Sequence, residues 1–227
     1  LIGQRLQEKL GQPIVIENKP GAGNNIATEA VINAEPDGYT LLLVNPANYI
    51  NTSLYSNLKF NFPRDIAPVA SFNRVPNVMT VNKDVPVSNV ADLIALANKT
   101  PDGMLFGATN RGGQSHLTGE LFRERAKANI SFVHAAGASV SLNDVIAGRI
   151  PIMFEGLAGL APGIQGGGVK LLSIASRERL PNLPNLPTIS ETVPGVVSSG
   201  WIVLMAPAGT PESIVQKVNA DLRKVVA

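Results

Sequence analysis

Small and polar residues cluster between Gly107 and Leu117, in a stretch that reads Gly-Ala-Thr-Asn-Arg-Gly-Gly-Gln-Ser-His-Leu. An apolar run, Met104 to Phe106, precedes this stretch and an amphipathic pattern follows it, which predicts a strand, a glycine-rich loop and a helix start. The first turn of a helix offers about four backbone N–H groups without intrahelical partners and roughly half a positive charge. The stretch could therefore bind a carboxylate or phosphate, although an ordinary strand-to-helix connection fits the same residues equally well.

Two glycines, Gly21 and Gly23, follow another apolar run in the manner of a dinucleotide-binding loop. That fingerprint requires a small residue where Ile26 stands, and a well-placed acidic residue about 20 positions beyond the loop. The sequence meets neither requirement. A tight turn before a helix is the interpretation that the residues favour.

His116 and Glu120 lie four positions apart on the predicted helix, a spacing that puts two metal ligands on one face. Zinc sites use three or four ligands, and the only other histidine is His134. A hydrogen bond at the helix start is therefore the favoured role of His116. Ser115 and Ser139 lack the Gly-x-Ser-x-Gly pattern of a nucleophilic serine, so no acyl-transfer chemistry is predicted.

Glu155 ends an apolar strand, and open α/β sheets bind ligands beyond the carboxyl ends of their strands. The residue fits a functional acid beside a pocket and a solvated loop residue equally well. No second acid or base stands out as its partner, which disfavours an enzyme.

The composition limits the classes of function. The 227 residues are 44% apolar and 16% charged, with a formal net charge of +2, which is typical of a compact globular protein. The basic residues are scattered, so nucleic acid is not a predicted partner. The absence of cysteine excludes disulfides, thiolate metal sites and thiol nucleophiles. No metal and no cofactor is predicted.

Helical and strand patterns alternate along the chain, which predicts an α/β fold with doubly wound sheets. The pattern resumes after about residue 82 and indicates a second lobe. Ser88 is the predicted N-cap of the helix from Val90 to Asn98. The predicted strands are 14–16, 39–44, 66–72, 78–81, 104–106, 130–133, 150–154, 169–174 and 201–206.

Six stretches, in order along nearly the whole chain, resemble one family. They are 11–26 (Gly-Gln-Pro-Ile-Val-Ile-Glu-Asn-Lys-Pro-Gly-Ala-Gly, then Asn-Ile), 34–42, 64–69, 116–122, 186–191 and 206–211. Together they resemble the periplasmic solute-binding proteins of tripartite tricarboxylate transporters, also known as Bug receptors. In this family the opening strand and its loop would precede Leu1, so the resemblance implies a chain truncated at its N-terminus and, after Ala227, at its C-terminus.

The resemblance implies a two-lobed type II periplasmic binding protein fold, with a first lobe of residues 1–81 and 196–227 and a second of 82–195. It implies a periplasmic, monomeric receptor, not an enzyme, that passes a small carboxylate to membrane permease subunits. The ligand would be a di- or tricarboxylate, or an aromatic or amino acid. The implied ligand-binding residues are Asn45, Ala47, Thr109, Asn110, Arg111, Gly112, Gly113, Ser115, His116, Ala136, Gly137, Ser139 and Glu155.

The sequence departs from the family pattern at three places. Arg111 would add a cationic contact to a loop that is usually built of small residues. The sequence His-Ala-Ala-Gly at 134–137 replaces the usual Pro-Tyr-Lys/Arg-Gly, and Glu155 replaces a common aspartate. The alternatives left open are a ligand-sensing domain of a transcription regulator with the same fold and an enzyme on the same scaffold.

Overall fold

The structure is a computed structural model that describes residues 2–109, 111–135 and 137–226. The α-helices are α1 (Ile2–Leu10), α2 (Asn25–Ile32), α3 (Pro46–Leu54), α4 (Phe62–Asp65), α5 (Val90–Lys99), α6 (Gln114–Ala126), α7 (Ala138–Ile146), α8 (Leu157–Gln165) and α9 (Glu212–Val226). The strands are β1 (Leu42–Val44), β2 (Ile66–Asn82), β3 (Met104–Ala108), β4 (Ile130–His134), β5 (Ile152–Gly156), β6 (Val169–Ile174) and β7 (Ser199–Pro207).

The chain divides into two compact units. Unit 1 contains residues 1–74 and 201–227, and unit 2 contains residues 75–200. The chain passes between them twice, within β2 and within β7. The division at 81/82 and 195/196 that the resemblance implies stays a prediction.

Unit 1 has apolar clusters on both faces of its strands. Along β7, Val203 and Met205 belong to one cluster, while Leu204 and Ala206 belong to the other, as the two-residue period of a strand requires. β1 pairs with β7 in the antiparallel direction. Leu6 of α1 and Leu222 of α9 are buried in the same cluster, so the terminal helices cover one face.

Unit 2 contains a mixed sheet. β3 pairs in parallel with β4 and β5, while β2 pairs in the antiparallel direction with β5 and β6. Ile152 and Phe154 of β5 lie in one apolar cluster and Met153 lies in another, so both faces of this sheet are covered. Parallel neighbours with helices on both faces are what the alternating sequence pattern predicts.

Three local predictions are wrong. The run 14–16 forms no strand, and Val15 and Ile16 are 85% and 70% exposed, because the run pairs with no other strand in the described chain. The N-cap of α5 is Asn89, whose side chain accepts the Asp92 N–H, and not Ser88. The two strands predicted within 66–81 are one strand, β2, which continues through Pro76.

No helix in the described ranges is both long enough and apolar enough to cross a membrane.

Candidate functional site

In unit 2, each of three parallel strands is followed in the chain by a helix. α6 follows β3, α7 follows β4 and α8 follows β5. Because β4, β3 and β5 are parallel neighbours, their carboxyl ends lie at one edge of the sheet, and so do the starts of the helices that follow them. The N-terminal, positive ends of three helix dipoles are therefore gathered at this edge.

The N-cap residues of these helices are all glycines: Gly113, Gly137 and Gly156. No side-chain hydrogen bond caps any of the three, as far as the described residues show. Asparagine side chains do cap α3, α4 and α5, through Asn45, Asn61 and Asn89, whereas Asn24 at the start of α2 makes no such hydrogen bond among the described residues. The starts of α6 and α7 thus keep their first-turn amides open to an anion, whereas the Glu155 side chain already lies at the start of α8.

Ser115, in the first turn of α6, fixes one end of the loop that follows β3. The backbone N–H of Thr109 donates to its Oγ at 3.0 Å, and the two hydroxyl oxygens lie 2.7 Å apart. Ser115 is only 5% exposed, so water does not compete freely for these bonds. The sequence pattern predicted that these residues share a loop, and the structure brings them into contact.

His116 fixes the other end of the loop. The backbone N–H of Gly112 donates to its Nδ1 at 3.0 Å, and its Nε2 lies 3.4 Å from Oε1 of Glu120. The helix-start hydrogen bond favoured for His116 is therefore present. No group of three or more metal-ligating side chains occurs among the residues that the structure places, so the metal interpretation gains no support.

The surroundings of His116 lower its pKa. Burial has the largest effect, followed by the charge of His134, whose ring centroid is 4.7 Å away. Glu120 acts in the opposite direction, while Arg111 and Arg123 lower the pKa further. The lowered pKa favours the neutral ring, which suits its role as acceptor for the Gly112 N–H.

His134 lies beside the predicted loop, although the sequence analysis did not include it among the ligand-binding positions. It is exposed, ends β4 and places Nδ1 3.4 Å from the Thr109 carbonyl oxygen. Arg111 is exposed on the neighbouring loop. The signal that could have identified His134 is its position, because it stands at the carboxyl end of a strand beside the strand that carries the predicted loop.

Glu155 lies near the end of β5, one residue before Gly156, the N-cap of α8. Its Oε1 accepts the backbone N–H of Gly156 at 2.8 Å, and its side chain is partly buried. Burial raises the pKa of Glu155, and the hydrogen bond from Gly156 offsets part of this effect. A carboxyl group with a raised pKa at this edge can accept a hydrogen bond when ionised and donate one when protonated.

Asn45 and Ala47 belong to unit 1, at the start of α3. Oδ1 of Asn45 accepts the Ala47 N–H at 2.9 Å, and the Asn48 side chain accepts the Asn45 N–H, which forms a reciprocal capping box. The Ala47 amide is thus already paired in this structure. Gly137 and Ser139 lie at the start of α7, whereas Asn110 and Ala136 fall outside the described residues.

Comparisons with known proteins agree with this architecture. The protein has 34% sequence identity and a TM-score of 0.89 with Rpa4515 of R. palustris, solved with adipate, over 97% of this chain and 75% of that one. MatC of Rhodopseudomonas palustris, solved with bound malate, is 30% identical with a TM-score of 0.86, over 99% and 77% of the two chains. The periplasmic binding protein BugD is 30% identical with a TM-score of 0.86, over 100% and 76%.

These similarities confirm the predicted fold class, an α/β protein of the two-lobed periplasmic binding protein type. The family model described as "Tripartite tricarboxylate transporter family receptor" matches residues 1–227. It describes receptors and not enzymes, which agrees with the prediction from the sequence. The chain therefore belongs to the receptor family of the tripartite tricarboxylate transporters.

Proposed function

We propose that this protein is an extracytoplasmic, periplasmic receptor that captures a small carboxylate and delivers it to the permease subunits of a tripartite tricarboxylate transporter. The observation that carries the proposal is the set of three glycine-capped helix starts at one edge of the unit 2 sheet. Such an edge favours a negatively charged ligand without a dedicated cationic pocket. We also propose that the receptor acts as a monomer.

Hydrogen bonds from amides and hydroxyls supply enough free energy for such a ligand. A hydrogen bond to a charged group contributes about 1.5–3 kcal/mol. Three or four of them can support micromolar affinity, which requires roughly 8 kcal/mol. The donors that we assign to this role are the amides at the starts of α6 and α7 and one hydroxyl of the Thr109–Ser115 pair, since the other hydroxyl donates within the pair.

Arg111 and Glu155 would contribute a positive charge and a hydrogen-bonding carboxyl group to the proposed site. Arg111 supplies a formal positive charge, which favours a carboxylate further. Glu155 would select a ligand that carries a hydrogen-bonding group besides its carboxylate. The proposed ligand residues of unit 2 are Thr109, Arg111, Gly112, Gly113, Ser115, Gly137, Ser139 and Glu155, together with Asn110 and Ala136, which lie outside the described residues. Both ring nitrogens of His116, the other predicted ligand residue, already have partners within the protein, so we assign it to the support of this loop.

Asn45 and Ala47 stay predicted ligand residues of the first lobe. Since the Ala47 N–H already donates to Asn45, this amide would have to share or exchange its acceptor on ligand binding. Helix α3 retains its dipole in either case.

Dicarboxylates are the first ligands to test, because adipate and malate occur in the similar structures. Calorimetry on the full-length protein with di- and tricarboxylates, aromatic acids and amino acids should give micromolar binding for at least one acid. The diamide of adipic acid is the matched control, since it has the same chain without the charges, and it should not bind. A panel that gives neither heat nor a thermal shift with any acid refutes the proposal.

A further inference from the structure

We propose that His116 is the positioning residue that holds the loop between β3 and α6 in its carboxylate-binding conformation, and that protonation of its ring releases this loop. The loop is defined here by Thr109 and residues 111–113. The inference rests on the function proposed above and adds a residue role and a pH dependence to it.

The hydrogen bond from Gly112 determines which tautomer the neutral His116 ring adopts. An N–H donor 3.0 Å from Nδ1 requires a lone pair on that nitrogen, so the proton of the neutral ring is on Nε2, on the side of Glu120. Gly112 is itself buried and has a φ of +76°, a conformation that glycine adopts without strain. Its N–H depends on the imidazole, because a buried amide without a partner is costly.

A second proton on His116 would convert Nδ1 from an acceptor to a donor. Two N–H groups would then face each other across 3.0 Å, and neither could satisfy the other. The loop segment at Gly112 would have to move away from the ring. Ser115 would still hold Thr109, so the release would affect the part of the loop that leads into the N-cap of α6.

Charged and titratable groups face His116 from every side. Glu120 and Arg123 stand on the same helix, Arg111 on the loop and His134 on β4, where Phe132 packs edge-on against the ring. Glu120 attracts a proton to His116, but it also forms an ion pair with Arg123. Burial and the three other cationic or titratable groups outweigh it, so the pKa of His116 lies below its usual value of 6.5.

Three substitutions separate the acceptor function of His116 from its charge. His116→Asn places an amide oxygen close to the position of Nδ1 but does not titrate. His116→Phe keeps a ring of similar size but offers no acceptor to Gly112. His134→Asn changes the other of the protein's two histidines, so it keeps the His116 acceptor and removes one of the groups that lower the pKa of His116.

NMR on the unliganded, full-length protein tests the inference directly. The Gly112 amide should be protected from exchange at pH 7.5 in the wild type and in His116→Asn, but not in His116→Phe. On acidification, the wild type should lose this protection with the same midpoint as the His116 ring titration, while His116→Asn keeps it. In His134→Asn the midpoint should move to higher pH, since one cause of the lowered pKa is gone. A Gly112 amide that does not follow the His116 titration overturns the proposal.

Calorimetry with adipate adds the functional consequence. His116→Phe should bind about tenfold more weakly than the wild type at pH 7.5, the effect of one lost hydrogen bond to the loop. The ratio of wild-type to His116→Asn affinity should fall as the pH falls, and because adipate itself titrates equally in both measurements, its own protonation cancels. A constant ratio contradicts the inference. If the wild type binds no carboxylate, the proposed function fails, and the exchange of Gly112 still decides the role of His116.

Discussion

Ser115 and Thr109 are joined by two contacts, a hydrogen bond from the Thr109 N–H to the Ser115 Oγ at 3.0 Å and a 2.7 Å approach of their hydroxyl oxygens. The next residue, His116, accepts the N–H of Gly112. Two consecutive residues of α6 thus hold two separate points of the same loop. A loop that is ordered before binding has less conformational entropy to lose when a ligand arrives.

Ser115→Ala should weaken carboxylate binding. The substitution leaves the Thr109 N–H without its acceptor, and a net loss of about 1 kcal/mol corresponds to roughly fivefold weaker affinity. The measurement is calorimetry with the best ligand of the carboxylate panel. Ser88→Ala is the matched control, because Ser88 is exposed and its hydroxyl forms no hydrogen bond within the described chain. Equal affinity of Ser115→Ala and the control would show that the loop needs no anchor at Thr109.

The sequence predicts the segment from Met104 to Ala126 well, because an apolar run, paired glycines and a helical period occur side by side. It also predicts a hydrogen-bonding role for His116, but not that Gly112 is the partner. That pairing depends on a positive φ at Gly112, which sequence patterns do not specify. The sequence also does not predict that three helix starts lie side by side, because this depends on the strand order, in which β3 lies between β4 and β5.

Two errors have a common physical cause. The residue types at 14–16 suit a buried strand, but whether they form one depends on a partner strand that lies elsewhere in the chain. Ser88 and Asn89 are both good N-cap residues, and only the backbone conformation decides which side chain reaches the Asp92 N–H. Residue propensities alone therefore predict neither feature, because both depend on the tertiary structure.

Gly137→Asp should weaken carboxylate binding at least about tenfold without unfolding the protein. Gly137 has φ −173° and ψ 167°, an extended conformation that any residue adopts, and a Cβ added at this position would meet no atom within 4 Å beyond its chain neighbours. An aspartate there would cap α7 and place a negative charge where the ligand carboxylate is proposed to lie. We expect an unchanged or slightly higher melting temperature, and at least about tenfold weaker binding from the lost amides and the charge repulsion.

Gly137→Asn is the matched control for this prediction. It caps the helix in the same way but carries no charge, so any affinity that it retains relative to Gly137→Asp measures the electrostatic part of the effect. If Gly137→Asp binds the carboxylate as tightly as the wild type, the start of α7 does not take part in binding.

Glu155→Gln should stabilise the protein at neutral pH and have little effect in acid. Burial raises the folded-state pKa of Glu155 above its usual 4.5, so the folded protein retains this proton to a higher pH than the unfolded chain does. The stability that this difference contributes is fully present below the unfolded pKa and is lost as the pH rises through the folded pKa. Glutamine is uncharged at every pH, and its amide oxygen can still accept the Gly156 N–H.

The melting temperature of Glu155→Gln minus that of the wild type should therefore increase between pH 4 and pH 7. Glu178→Gln is the control, because Glu178 is exposed and its neutralisation should not change the melting temperature in the same pH-dependent way. A difference for Glu155→Gln that is the same at both pH values would mean that the ionised carboxylate is not penalised by burial at the sheet edge. The ionised Glu155 carboxylate could then bind a cationic or hydroxylated part of a ligand, because its burial would cost the protein no folding free energy.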